Sequence, residues 1–356
     1  MQNMQNMQNM MNMMGKIMQP QQMIFDPKKM DQRMKRTLMN QTIAQTKIGL
    51  YKSFPKFKPI SFSFISNFNP GVPNNICEVS VVHEHVLDIV EQYAEKGINY
   101  TNNNNMNPVV LNIVGSDFSG SNLESNENIR DEIINIRTTF NNTLGTHSPY
   151  PLKEYECVYS KVVTIIRPKY PTQFLPYPQT YRTAMITTSP IKTDNLLSDN
   201  RMTSTDFVKT CTNIECVFQA AISRGHQILI LSPFGHEDDN NPIDDIIKIY
   251  NYCIYKYGHL FKKIIIGVPK YYPKSVFQTY DTDIVKPIEL TTDIDKKYEQ
   301  EEMKRSLMEK SSIPIVNKKE NNEVNKVQIQ GNNEISKEQM EMFIKMMAMM
   351  NQSKDK

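Results

Sequence analysis

A three-layer α/β/α sandwich around a mostly parallel central sheet is the fold class the sequence predicts. Three observations predict it. Short apolar runs alternate with segments of helical periodicity from residue 78 to residue 269, the pattern of a sheet covered by helices. The central runs, 108–114 (PVVLNIV), 227–231 (QILIL) and 263–268 (KIIIGV), are apolar almost throughout, as strands buried on both faces must be. The chain has 356 residues, 39% of them hydrophobic, which is ample for one large core.

The elements follow in order. Residues 32–48 predict a helix stopped by Gly49, with Leu38, Ile43 and Ile48 on a buried face. Residues 78–82 (EVSVV) predict a strand. Val82, Val86, Ile89 and Tyr93 then recur at helical spacing up to Gly97. The Asn-rich stretch 102–105 reads as a loop, and 108–114 as the central strand. Residues 129–140 predict a helix, and 161–167 (KVVTIIR) and 183–187 (TAMIT) predict strands. Phe207, Cys211, Ile214, Phe218 and Ala221 line one face of a helix closed by Gly225. After the strand at 227–231, Asn241 is expected as an N-cap with Pro242 at the first helical position. Ile243, Ile246, Ile247, Tyr250, Ile254 and Tyr257 then form a second apolar face, and 263–268 is the last strand.

The ends differ in character. Residues 1–25, rich in Met, Gln and Asn, are expected to be disordered, because such a sequence cannot bury a core. Residues 26–290 hold the folded domain, 291–335 a polar linker, and 336–356 a Met-rich C-terminal helix and tail that opens on Ser336 with Gln339 three residues on. Lys+Arg number 41 and Asp+Glu 38, a net charge of +3, so the whole chain is no polyelectrolyte. The stretch 28–58 is locally basic and runs into Phe54, Phe57, Phe62 and Phe64, which admits a nucleic-acid contact. A helix docked on the domain, its lysines in solvent, is the preferred reading. Five cysteines without a CxxC indicate neither a disulfide framework nor a zinc ribbon. They read as core residues of an intracellular protein, of cytoplasm, nucleus or, for a viral chain, a virion. No apolar run reaches membrane-spanning length.

From Pro108 onward the chain resembles a known family. The segment VVLNIVGSDFSGSNLESNENIRDE is similar in layout to the signature of microbial-type poly(ADP-ribose) glycohydrolases, within the macro-domain superfamily. There an apolar strand ending in Leu-Asn leads to a triple-glycine loop, and a Gln-Glu-Glu triplet follows ten residues after the first glycine. Here the strand carries Leu111-Asn112, the glycine positions read Gly120-Ser121-Asn122, and the triplet reads Arg130-Asp131-Glu132. Tyr159-Ser160, Val162 and Arg167 resemble the family's next strand, and 221–242 resembles its second glycine loop with the flanking strand. The likeness covers roughly residues 32–280 and implies a macro-like domain.

The resemblance also implies a site. Hydrolysis of a ribose–ribose bond needs an acid at the leaving oxygen and stabilisation of an oxocarbenium-like centre. Glu132 stands where the family has its catalytic acid, and Asp131 where it has the assisting carboxylate. Ligand contacts are implied for Asn112, Gly120, Ser121, Gly235 and Asn241, with ADP-ribose or an ADP-ribosylated protein as partner and no cofactor. The departures point toward lost chemistry. An Arg at position 130, close to Glu132 in sequence, is expected to lower the pKa of a group that must hold a proton. Phe118 replaces an Asn that helps to hold the ribose, and Ser121 and Asn122 add bulk where backbone must approach a diphosphate. The second loop reads Gly235-His236-Glu237-Asp238-Asp239. At ~6 Å and an effective dielectric of ~20, each of its carboxylates repels a phosphate charge by about 3 kcal/mol before screening. The expected protein is a pseudoenzyme or, if active, an ADP-ribosyl glycohydrolase. The alternative is an interaction protein that uses residues 28–58 and the Met-rich C-terminus. No metal site is assigned, because the contiguous acids lack EF-hand spacing. His83 and His85 read as exposed or capping residues.

Overall fold

The architecture is described from a computed structural model. It describes residues 31–47, 58–71, 76–96, 108–115, 129–144, 150–167, 180–236 and 239–284. The expected tails 1–25, 291–335 and 336–356 lie outside them. The strands are β1 (Ile60–Ser63), β2 (Glu78–Val82), β3 (Glu95–Lys96), β4 (Pro108–Ile113), β5 (Glu156–Ile165), β6 (Tyr181–Thr188), β7 (Ile228–Leu231) and β8 (Lys263–Gly267). The helices are α1 (Gln32–Lys47), α2 (Val86–Val90), α3 (Ile129–Arg137), α4 (Phe140–Leu144), α5 (Ser204–Ser223), α6 (Ile243–Tyr257) and α7 (Lys274–Asp283).

The sheet runs β1-β5-β6-β4-β7-β8-β2, with β3 paired to the start of β6. The five strands β6, β4, β7, β8 and β2 are parallel. β5 joins β6 antiparallel, and β1 joins β5 antiparallel. The α/β/α sandwich with a mostly parallel sheet is therefore present, extended by an antiparallel margin. β4 shows how the layers arise. Val109, Leu111 and Ile113 point to one face and pack with Ile214 and Phe218 of α5, Ile246 and Tyr250 of α6, and Tyr280 of α7. Val110 points to the other and packs with Leu87 and Ile89 of α2, Ile133 and Ile134 of α3, and Phe140 of α4. A strand that alternates between two apolar layers has to be apolar at every position, which is why β4 reads as a continuous run.

Several boundaries differ from the sequence expectation. Val82 belongs to β2 rather than to a helix, because the chain turns at His83–Glu84 and starts afresh at Val86. His85 is extended and its Nδ1 accepts from the Leu87 amide at 3.2 Å, so it is the N-cap of α2. The helix expected over 129–140 stops at Arg137. Thr138 Oγ1 donates back to Ile134 O at 2.8 Å and accepts from Phe140 N, and Thr139 N bonds Thr164 O. These local bonds compete with helix propagation and splice the chain onto β5. β5 begins at Glu156, earlier than expected, and shifts register between Ser160 and Val163. The helix expected to run to Gly97 ends at Val90, and Glu95–Lys96 form β3 instead. Besides β3, the short α4 and two elements with weak signals were not anticipated. β1 is a four-residue margin with mostly exposed side chains, and α7 buries only Val276 and Tyr280.

α1 docks on the domain, as the preferred reading expects, but its contact is largely polar. Lys35, Leu38, Thr42 and Thr46 are buried, Ile43 is half-buried, and Arg33 and Arg36 are exposed. Thr42 Oγ1 donates to Ile136 O at 2.6 Å and accepts from Arg167 Nε at 2.8 Å, while Arg167 Nη2 reaches Gln45 Oε1 at 3.2 Å. Arg137 bonds the Arg167 carbonyl and pairs with Asp88 at 2.7 Å, which joins α2 and α3 to the same cluster.

A second buried polar cluster ties α5 to α6. Glu215 pairs with Lys256 and accepts from Tyr257 Oη at 2.8 Å. Burial, followed by the Glu215 charge, raises the Tyr257 hydroxyl pKa far above its ordinary range. Gln219 bonds Tyr257 and clasps both the amide and the carbonyl of Ile65. Removing one partner of such a pair leaves a stranded charge. Lys256→Met is expected to lower stability by about 3 kcal/mol in urea unfolding. The double variant Glu215→Leu/Lys256→Met is expected to cost less than the sum of the two single changes.

Candidate functional site

The topology itself selects one region. α3 and α6 follow the adjacent parallel strands β4 and β7 but pack on opposite faces of the sheet. Where such helices diverge, a crevice opens outside the carboxyl ends of the strands. The end of β4 and the turn after β7 lie at this edge of the sheet.

Asn112 is the last polar residue of β4 and is buried. Its Nδ2 donates to Thr187 Oγ1 of β6 at 3.3 Å, and its Oδ1 has no partner among the described residues. A buried acceptor in that state has unused capacity for a donor. It stands on the α3 face, in register with Thr187. Positions 131 and 132 fall within the first turn of α3, the helix that follows β4. Their side chains, and all of Gly120 and Ser121, lie outside the described residues.

Gly235 turns the chain after β7 with φ +66°. A Cβ there would collide with the Asn241 amide and lie 2.9 Å from Pro190 Cβ, so position and backbone conformation both call for glycine. The turn is held from inside. Gly235 O accepts from the amides of Asp239 at 3.3 Å and Asn241 at 3.0 Å. Asn241 Oδ1 accepts from Thr193 Oγ1 at 2.7 Å, and Thr193 N donates to Asp239 O at 2.9 Å. Asn241 is not the N-cap expected from the sequence. Pro242 occupies that position without a side-chain bond, and the Asn241 side chain is buried in the turn instead. The reason is geometric: its amide fills the space left by the missing Gly235 side chain. Asp245 in the first turn of α6 is buried and is occupied by Arg201 and the Met202 amide. Glu237 and Asp238 lie outside the described residues. No group of three His, Cys, Asp or Glu among the described residues could hold a metal ion.

The rim also holds residues that the sequence did not single out. Thr187, Thr193 and Arg201 come from a strand end and an irregular stretch, where no periodicity marks them. Past β8, Tyr271 stacks on Tyr272 at 5.1 Å between centroids, and Tyr272 faces His236 at 6.0 Å. His83, at the end of β2, stacks on Phe277 at 4.6 Å. Burial and then the neighbouring Lys270 depress its pKa, Glu84 opposes them, and Lys274 adds a smaller depression.

No protein-family profile matches the chain, and no curated protein matches it. Among solved structures it is similar to poly(ADP-ribose) glycohydrolase from Thermomonospora curvata, at 13% identity and a TM-score of 0.52, over 70% of this chain and 99% of that one. A mutant of the same enzyme matches at 14% identity and a TM-score of 0.51, over the same shares. The fold expected from the sequence resemblance is thus the fold of this chain. The described part contains no helix long and apolar enough to cross a membrane.

Two outcomes follow from this geometry. Gly235→Ala is expected to destabilise the protein by about 2 kcal/mol through left-handed strain and displacement of Asn241, seen as a lower urea midpoint. For His83, the unfolded chain binds a proton more readily than the folded one. The stability of the neutral imidazole is present above its ordinary pKa of 6.5 and is lost as pH falls below it. A proton-NMR titration is expected to place the His83 midpoint below that of an unfolded imidazole, and Lys270→Gln is expected to move it up.

Proposed function

We propose that the chain is a divergent macro-domain protein with an ADP-ribose-type crevice and degenerate hydrolase activity. The observation that carries this reading is the contrast within one turn. The Gly235 corner keeps a tightly held backbone after β7, yet the residues after it are His236, Glu237, Asp238 and Asp239. The scaffold suits a nucleotide sugar, whereas the charge opposes its diphosphate. In the residual chemistry Glu132 is the proton donor to the leaving ribose oxygen and Asp131 supports it. The fold alone does not assign activity, because one fold hosts many functions.

A second reading makes the macro-like core a scaffold for contacts through residues 28–58, and exposed Arg33 and Arg36 on α1 favour it. Calorimetric titration with ADP-ribose separates the two. The first reading expects weak binding and no detectable release of ADP-ribose from its polymer. It also expects binding about tenfold tighter once Glu237→Gln, Asp238→Asn and Asp239→Asn remove the charges, a gain of about 1.4 kcal/mol. Tight binding by the unaltered chain with turnover abolished by Glu132→Gln overturns the degeneracy. No response to neutralisation, together with salt-sensitive retention on nucleic acid that requires residues 1–60, moves the function to the scaffold reading.

A further inference from the structure

All five cysteines are buried and free. Cys157 on β5 and Cys216 on α5 face each other with their sulfurs 3.7 Å apart. Their positions are fixed by further contacts: Cys216 Sγ lies 3.5 Å from Phe62 O, and Cys157 Sγ lies 3.9 Å from Cys216 O. A disulfide brings two sulfurs to about 2.05 Å, so this pair has to close by roughly 1.7 Å, a shift that side-chain rotation and a small adjustment of a sheet–helix contact can supply.

We propose that Cys157 and Cys216 are a latent dithiol, which a small-molecule disulfide converts into a cross-link between β5 and α5. The chemistry balances with glutathione disulfide as the oxidant. One cysteine thiolate attacks a glutathione sulfur, forms a mixed disulfide and releases one glutathione thiolate. The facing thiolate attacks the mixed disulfide at the protein sulfur and releases the second. The protons of the two cysteines end on the two glutathiones. The hydrogen bond with Cys216, followed by burial, raises the Cys157 pKa well above the ordinary thiol value. The closed protein therefore holds little thiolate, and reaction waits on local opening of α5. Once one sulfur is activated its partner is the nearest nucleophile, so the product is intramolecular. Cys211 on α5 and Cys253 on α6, both buried and free, provide an internal comparison.

The test incubates the full chain under native conditions with glutathione disulfide, followed by a non-reducing digest and mass spectrometry. The expected product is a Cys157–Cys216 cross-linked peptide two hydrogens lighter than the separate thiol peptides. The cross-link closes a 59-residue separation and restricts the unfolded chain. The non-reducing Tm is therefore expected to rise by about 5 °C or more, and reductant is expected to reverse the rise. Cys157→Ala is expected to abolish both changes. If that variant does not fold, the peptide map of the unaltered chain decides alone. Stable glutathione adducts at either cysteine, linkage only between Cys211 and Cys253, disulfides between chains, or thiols that react only after denaturation would each overturn the proposal.

Discussion

The two-sided burial of β4 is the constraint from which the rest of the molecule follows. Its six residues are all buried, and neighbouring residues face different layers. Neither face can be left to water, so helices must cover both, and strands on either side must satisfy its backbone. That sends α3 and α4 to one layer and α5 and α6 to the other. The rim between β4 and β7 is a by-product of this divergence. The site therefore sits where it does because of packing, before any side chain with chemistry is considered.

What occupies the rim follows a different logic. The turn after β7 is shaped by a glycine in the left-handed region and by a buried asparagine that fills its missing side chain. These are structural demands, met within the protein. The amides of Asp239 and Asn241 serve the turn's own carbonyl, and Asp245 serves Arg201 and Met202. Among the described residues, the Asn112 oxygen is the polar atom of the rim that these internal contacts leave unused. Shape and reactivity are separable here, and the structural likeness to a glycohydrolase extends to the former.

The sequence showed the parts in which one physical force dominates. Continuous apolar runs announced β4, β7 and β8, and helical spacing announced α5 and α6, because burial alone decides those residues. Ile129–Arg137 was legible as a helix, but its end was not. Two threonines cut it short by bonding the backbone, and periodicity does not register such competition. Val82 fits a helical repeat equally well as a strand, and only the cap at His85 decides. β1 and α7 bury too little to leave a pattern. At the candidate site, Asn112 and Gly235 were singled out through spacing against a family layout. Thr187, Thr193 and Arg201 contribute from irregular or unremarkable stretches, with no local signal. The Asn241 cap failed because a tertiary vacancy beside Gly235 outcompeted a local preference.

The polar seat of α1 bears on how the chain comes to be assembled. Thr42 and Arg167 are 125 residues apart, so the helix leaves the ribosome long before the guanidinium that receives it exists. At roughly 5–20 residues per second that interval is about 6 to 25 s. Through it α1 must wait in water, and a basic, hydroxyl-bearing face is better suited to that wait than a greasy one. A helix made long before its own receptor has reason to be seated by hydrogen bonds.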